Sequence, residues 1–271
     1  MIDLDAYFRK VGFSGRAAAD RATLQALTRL HPQAIAFENL DPLLGVPVRL
    51  DPAALEDKLV RSGRGGYCYE HNLLLMHVLR ALGFSVRGLA ARVLWGAAEG
   101  AVTARAHMLL CVDVDGERHI ADVGFGGTTP TAPLRLDADG AQPTAHEDFK
   151  LVRFGDEFVL QAAVGKSWQS LYRFDLQEQV QADYEIVNWY QCTSPSSYFT
   201  QSLMAARPVA GARYALRNAA LSVHRLDGTT QRRTLRTPAE LRDTLCGPFG
   251  LTLPSAAGLD ALLTRLTAVA A

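Results

Sequence analysis

Cys68, His107 and Asp122 are residue types that can share one nucleophilic reaction, and they lie at well-separated points of the chain. Cys68 sits in Arg64-Gly65-Gly66-Tyr67-Cys68-Tyr69-Glu70-His71-Asn72, which leads into the apolar run Leu73-Leu74-Leu75-Met76-His77-Val78-Leu79. That run carries apolar residues on more than one helical face. It predicts a buried helix ending at Gly83, with Cys68 at or just before its N-terminus. Unpaired backbone N–H groups and the helix dipole favour an anion there. Such a position can draw a thiol below the free value of about 8.5, which would make it a nucleophile at neutral pH. The competing reading is a small core residue, because free cysteines are usually buried.

Asp115-Gly116 is a strong hairpin signal between two apolar runs. With those two residues as the loop, Val114 faces Glu117 and Cys111 faces Ile120. The same register pairs Leu109 with Asp122 and His107 with Gly124. Side chains alternate with period two, so Asp122 shares the face of His107 as its diagonal neighbour. Diagonal Cα atoms lie about 7–8 Å apart, and their side chains can meet. A carboxylate–imidazole bond there would fix the ring's tautomer and leave its other nitrogen for Cys68. Singly, His107 reads as a satisfied core histidine, Asp122 as a turn residue and Cys111 as a core filler. Jointly with Cys68, the histidine and aspartate point to thiolate–imidazolium catalysis.

The elements that must position these residues fall into two textures. Helices are predicted at 3–10, at 17–30 (ended by His31-Pro32), and from Asp51-Pro52 through Leu55 and Leu59 to Gly63. Residues 36–42 read as a loop or short turn. From Ser85, short β-like runs follow at 86–95, 107–114, 117–123, 149–154, 157–162 and 168–174, which suggests a barrel or strongly curved sheet. A helix at 179–190 and a break at 193–197 come next. Strands at 214–218, 220–225 and 231–235, with helices at 238–246 and 259–269, close the chain.

Composition excludes several classes. Hydrophobic residues make up 48% and charged residues 21%, as in ordinary soluble proteins. The formal net charge is zero, so no basic excess supports nucleic-acid binding. No apolar run approaches the roughly 18 residues needed to cross a bilayer, so no membrane partner is expected. Met1-Ile2-Asp3-Leu4-Asp5 lacks a signal-peptide layout. The four cysteines are widely spaced without a CxxC pair, which argues against a disulfide framework or zinc ribbon and for a reducing cytoplasm. No histidine cluster has metal spacing, so no metal is expected.

Arg64-Gly65-Gly66-Tyr67-Cys68-Tyr69-Glu70-His71-Asn72 closely resembles the RGGxCxExN signature of arylamine N-acetyltransferases. The 39-residue step to His107 and the further 15 to Asp122 fit that family, as do Ala36-Phe37-Glu38-Asn39-Leu40 and Asp122-Val123-Gly124-Phe125-Gly126. The likeness covers roughly residues 1–200. It implies an α+β fold: a helical bundle at 1–84 carrying the nucleophile, a β-barrel at 85–192 carrying His107 and Asp122, and a linker with a C-terminal α/β lid at 193–271. It implies ping-pong transfer of acetyl from acetyl-CoA to arylamines or arylhydrazines by way of acetyl-Cys68, in a monomer or homodimer. Phe37, Tyr69, Phe125 and Phe199 resemble the family's acceptor-pocket aromatics, and the Gly124-Phe125-Gly126 turn would let CoA approach the backbone.

Arg64, Glu38 and Glu70 read as a buried ion-pair network holding the nucleophile loop. Gly65 and Gly66 would let that loop turn tightly. The N–H groups of Cys68 and Tyr69 are the candidate oxyanion donors. A hydrolytic or transglutaminase-like cysteine enzyme would use the same three residues, but the full motif context argues against it. An amide synthase of antibiotic assembly remains open. Against a non-catalytic binding protein stands the presence of all three residues.

Overall fold

The computed structural model describes residues 2–98 and 100–268. Asp3, Asp20 and Asp51 each accept the backbone N–H three residues ahead, and these caps start α1 (Leu4–Val11), α2 (Arg21–Ala34) and α4 (Pro52–Leu55). Between them lie β1 (Phe37–Glu38) and the single turn α3 (Leu40–Leu43). A wider π-helical stretch, Glu56–Arg61, extends α4, and α5 (Cys68–Ala81) follows. Cys68 is therefore the first residue of its helix, as the sequence predicts.

Two local expectations are overturned. α2 does not stop at His31-Pro32 but runs through Pro32 to Ala34. Proline forfeits one hydrogen bond in the last turn, while His31 is held on both sides by buried bonds to Tyr7 and His71. Residues 36–42 are not a plain loop either, since Phe37 and Glu38 pair with Ala206 and Ala205 of a distant strand.

The barrel strands are β2 (Ser85–Val93), β3 (Arg105–Val114), β4 (Glu117–Ala121), β5 (Leu134–Arg135), β6 (Phe149–Phe154), β7 (Glu157–Val164) and β8 (Ser167–Phe174). They form one antiparallel sheet in the order β5-β4-β3-β2-β8-β7-β6. Gln142 nearly closes it. Its backbone pairs with Phe149 of β6 in both directions, and its side chain bonds the N–H and C=O of Arg135 in β5. Asp115 and Gly116 both have positive φ, 51° and 75°, as a two-residue hairpin turn requires. Val114 faces Glu117 and Cys111 faces Ile120, the register read from sequence. β4 ends at Ala121, so Asp122 and Gly124 lie just past the ladder. On β3, Met108, Leu110 and Val112 pack with the helices, whereas Leu109 and Cys111 point into the barrel core with Leu89, Leu160 and Tyr172.

Next come α6 (Gln181–Thr193) and α7 (Tyr198–Gln201). A second sheet joins β9 (Met204–Val209), β10 (Ala212–Arg217), β11 (Ala220–Arg225) and β12 (Thr230–Thr234) in the order β1-β9-β10-β11-β12. Its apolar face is covered by α8 (Pro238–Cys246) and α9 (Leu259–Ala268). The sequence reading missed β9, whose Pro208 speaks against a strand. Val269, assigned to the last helix, lies outside the described residues. No helix among the described residues is long and apolar enough to cross a membrane.

Candidate active site

The loop before Cys68 is shaped by crowding. A Cβ on Gly65 would lie 2.1 Å from Ala36 O, and one on Gly66 would lie 2.6 Å from Glu70 Oε2. Neither residue has positive φ. These glycines are therefore set by close approach and not, as expected, by a tight turn. Glu70 reaches back to accept Tyr67 N–H at 3.0 Å, and the Lys58 ammonium bonds Glu70 Oε1 and Asp41 Oδ2, each at 2.6 Å. Arg64 bonds Asp41 at 2.6 Å and Glu38 at 2.9 Å. Arg64, Glu38 and Glu70 do share a network, but Arg64 and Glu70 are joined only through Asp41 and Lys58. Burial pulls the Lys58 ammonium down; Glu70, Glu38 and Asp41 outweigh it and keep the lysine charged.

His107 and Asp122 meet past the end of the β3–β4 ladder. His107 Nε2 lies 2.7 Å from Asp122 Oδ2, and both residues are buried. Asp122 Oδ1 accepts from Asn72 Nδ2 at 3.0 Å and Gly124 N–H at 2.9 Å. Burial alone would lower the His107 pKa, but the Asp122 charge and hydrogen bond raise it to about 10, with Cys68 adding a smaller hydrogen-bond and charge contribution. Burial alone would raise Asp122; His107, Gly124 and Asn72 instead hold it below the usual carboxylate range. With Nε2 engaged by Asp122, the other ring nitrogen, Nδ1, is left for the Cys68 sulfur. The Cys68 thiol is 3.9 Å from Ala106 O, one residue from His107. A thiol at a helix start and a hydrogen-bonded imidazole–carboxylate pair are thus brought together from α5 and the barrel, an arrangement that can support nucleophilic chemistry.

A family model described as N-acetyltransferase matches residues 20–257. An arylamine N-acetyltransferase of Mycobacterium tuberculosis is 45% identical over 269 residues, 98% of this chain and 95% of its own length. The chain belongs to the arylamine N-acetyltransferase family. A second family member, from Escherichia coli, is 42% identical over 249 residues, 92% of this chain and 88% of its own. The structure of Mycobacterium marinum arylamine N-acetyltransferase in complex with CoA superposes with a TM-score of 0.93 at 42% identity, covering 97% of this chain and 99% of that one. The α+β architecture implied by the sequence motif is the fold of this family.

In this arylamine N-acetyltransferase fold the four aromatics do not form one group. Phe37 and Phe199 pack at 6.2 Å, and a Cβ on Gly126 would lie 3.7 Å from the Phe37 ring. Phe125 packs edge-on against His107 at 5.0 Å. All three are half-buried. Tyr69 is buried between Tyr67 and Tyr184, and the Tyr67 ring separates it from Phe199, on which Tyr67 packs at 5.1 Å. Gly124 is occupied from within: a Cβ there would lie 2.8 Å from Cys68 Cα.

Several residues escaped the sequence reading. Asn72 ties the Cys68 helix to Asp122; its place in the motif was the available signal. Lys58 lies between Leu55 and Leu59 on a core-facing stretch, which could have marked it. Asn39 donates to Phe199 O and Ser202 O and accepts from Met204 N–H, so it fastens α7. Tyr172 packs against His107 at 4.9 Å, a contact nothing local announces. Among the described residues no group of three or more His, Cys, Asp or Glu could hold a metal ion.

Proposed function

We propose that the protein transfers acetyl from acetyl-CoA to the nitrogen of an arylamine or arylhydrazine, with acetyl-Cys68 as the intermediate. The observation that carries this reading is the buried 2.7 Å His107–Asp122 bond beside a cysteine that opens a helix. The names of its relatives and the CoA complex of a family member support the choice of donor and acceptor.

In the first half-reaction the Cys68 proton already rests on His107, and the thiolate sulfur bonds to the thioester carbonyl carbon. The carbonyl electron pair moves to oxygen, where the N–H groups of Cys68 and Tyr69 receive it at the positive end of α5. Collapse breaks the carbon–sulfur bond to CoA, and the departing CoA sulfur takes the proton from His107. One thioester replaces another of similar energy. In the second half the amine nitrogen bonds to the acetyl carbon, His107 accepts its proton, and the Cys68 sulfur leaves as the thiolate, which restores the ion pair.

Phe37, Phe125 and Phe199 keep exposed surface and would bound the acceptor ring, whereas buried Tyr69 would act by shaping the wall behind Cys68. CoA would pass along Phe125 and Gly126, with Gly124 giving α5 room to reach the turn. The division into 1–84, 85–192 and 193–271 suits this arrangement, with β1 reaching across to the last segment. A reducing cytoplasm would keep Cys68 a free thiol.

Incubation with acetyl-CoA followed by intact mass measurement tests the reading. The wild-type protein should carry one acetyl group, released on adding an arylamine, and Cys68→Ala should carry none. Transfer by Cys68→Ala at the wild-type rate would sink the mechanism, and a hydrolase would show no stable adduct.

A further inference from the structure

Tyr7, His31 and His71 form a buried chain that the transfer steps leave unused. Tyr7 Oη lies 2.9 Å from His31 Nδ1, His31 Nε2 lies 2.9 Å from His71 Nδ1, and His71 Nε2 lies 3.1 Å from Gly66 O. All three side chains are fully buried. The chain has only one polarity. Gly66 O is a carbonyl and can only accept, so His71 carries its proton on Nε2. Burial pushes His71 down to about 4 and His31 well below its ordinary range, so both rings are neutral at pH 7. Neutral His71 must then accept at Nδ1 from His31 Nε2–H, and His31 must accept at Nδ1 from the Tyr7 hydroxyl.

The end of this chain lies two residues before Cys68. Gly66 O also accepts Glu38 N–H at 2.7 Å, and the N–H of the same peptide, on Tyr67, goes to Glu70 Oε2 at 3.0 Å. That peptide is therefore held from both edges. The next peptide carries the Cys68 N–H. Gly65 and Gly66 have no side chains to define the loop's path, so its direction depends on these bonds. We propose that His31 and His71 are positioning residues of the acyl transfer, aiming the backbone N–H groups at Cys68 through the Gly66 carbonyl. This rests on Cys68 being the acyl carrier.

Two reactions of the same sulfur separate positioning from packing. Acylation by acetyl-CoA builds charge on a carbonyl oxygen and needs aimed N–H donors. Alkylation by iodoacetamide displaces iodide and needs only the thiolate. His71→Leu should slow single-turnover acylation of Cys68 by about 10²-fold, the scale of a small misplacement, while alkylation at pH 7 stays near the wild-type rate. His71→Gln, which keeps a donor toward Gly66 O, should recover most of the loss. Equal loss of both reactions in His71→Leu, or undiminished acylation, overturns the proposal. If His71→Leu does not fold, nitrogen NMR of the wild-type histidines decides: both rings should be neutral with the proton on Nε2, and either ring protonated on Nδ1 overturns it. Failure of wild-type Cys68 to acquire acetyl would instead overturn the acyl-carrier reading.

Discussion

Asn72 Nδ2 donates to Asp122 Oδ1 at 3.0 Å, joining the helix that carries Cys68 to the turn that orients His107. The same amide donates to Met108 O at 2.8 Å and accepts Val123 N–H at 3.1 Å. One turn after Cys68, a single buried side chain thus holds the strand that carries His107 and the turn that carries Asp122.

Asn72→Ala leaves the Met108 carbonyl, the Val123 N–H and one Asp122 lone pair without this partner in a buried site. The loss should be at least about 1–3 kcal/mol, the cost of one stranded polar group. Asn72→Asp should be worse, because it sets a second carboxylate against Asp122. Thermal unfolding and Cys68 acylation should both register it; an Asn72→Ala protein with wild-type values for both would show that the tie is idle.

Gly124→Ala places a methyl 2.8 Å from Cys68 Cα and 3.0 Å from Asn72 Nδ2. Neither neighbour can yield easily, since one is backbone and the other already donates two hydrogen bonds, to Met108 O and Asp122 Oδ1. Overpacking of this kind costs about 1–3 kcal/mol. Acylation should fall more steeply than stability, because the shift moves the nucleophile itself. Single-turnover kinetics beside a melting curve makes the comparison, and a fast, fully stable Gly124→Ala protein would refute it.

Lys58→Met strips the cation from Glu70, leaving that buried carboxylate without a countercharge, while Asp41 keeps Arg64. A loss of about 3–5 kcal/mol is expected. Adding Glu70→Gln should return part of it, since the double variant buries one charge fewer. Denaturant unfolding of the single and double variants measures the coupling; strictly additive losses would mean that Lys58 and Glu70 do not interact.

Stability should pass through a maximum with pH. His31 and His71 ionise near 6.5 when unfolded but far lower when buried, His71 at about 4. Between those values the unfolded chain binds more protons, so their contribution is full above about 6.5 and drains as pH falls toward 4. His107 has the opposite sign. Its folded pKa is raised to about 10, so its contribution is full below 6.5 and is lost as pH rises through 10. Melting temperatures measured from pH 4 to 10 should show both limbs. His71→Gln should flatten the acid limb and leave the alkaline one; the reverse pattern would contradict the assignment.

What the sequence determined by itself was local. Asp51 caps its helix, Asp115-Gly116 closes its hairpin, and strand alternation puts His107 and Asp122 on one face, because each depends on partners within 15 residues. The motif around Cys68 was legible for the same reason, down to its place at the helix start. Tertiary structure decided what local rules do not reach. Phe37 and Glu38 became a strand by pairing with Ala206 and Ala205, and α2 ran through Pro32 because Tyr7 and His71 grip His31. Gly65 and Gly66 proved to be contact points, Gly124 made room for Cys68, Tyr69 turned into the core, and Lys58 entered a network with Asp41 and Glu70. Each outcome depends on which surfaces the whole chain buries against each other. Asn72 carries the same lesson: its amide meets Asp122 only because the apolar face of α5 packs on Met108, Leu110 and Val112.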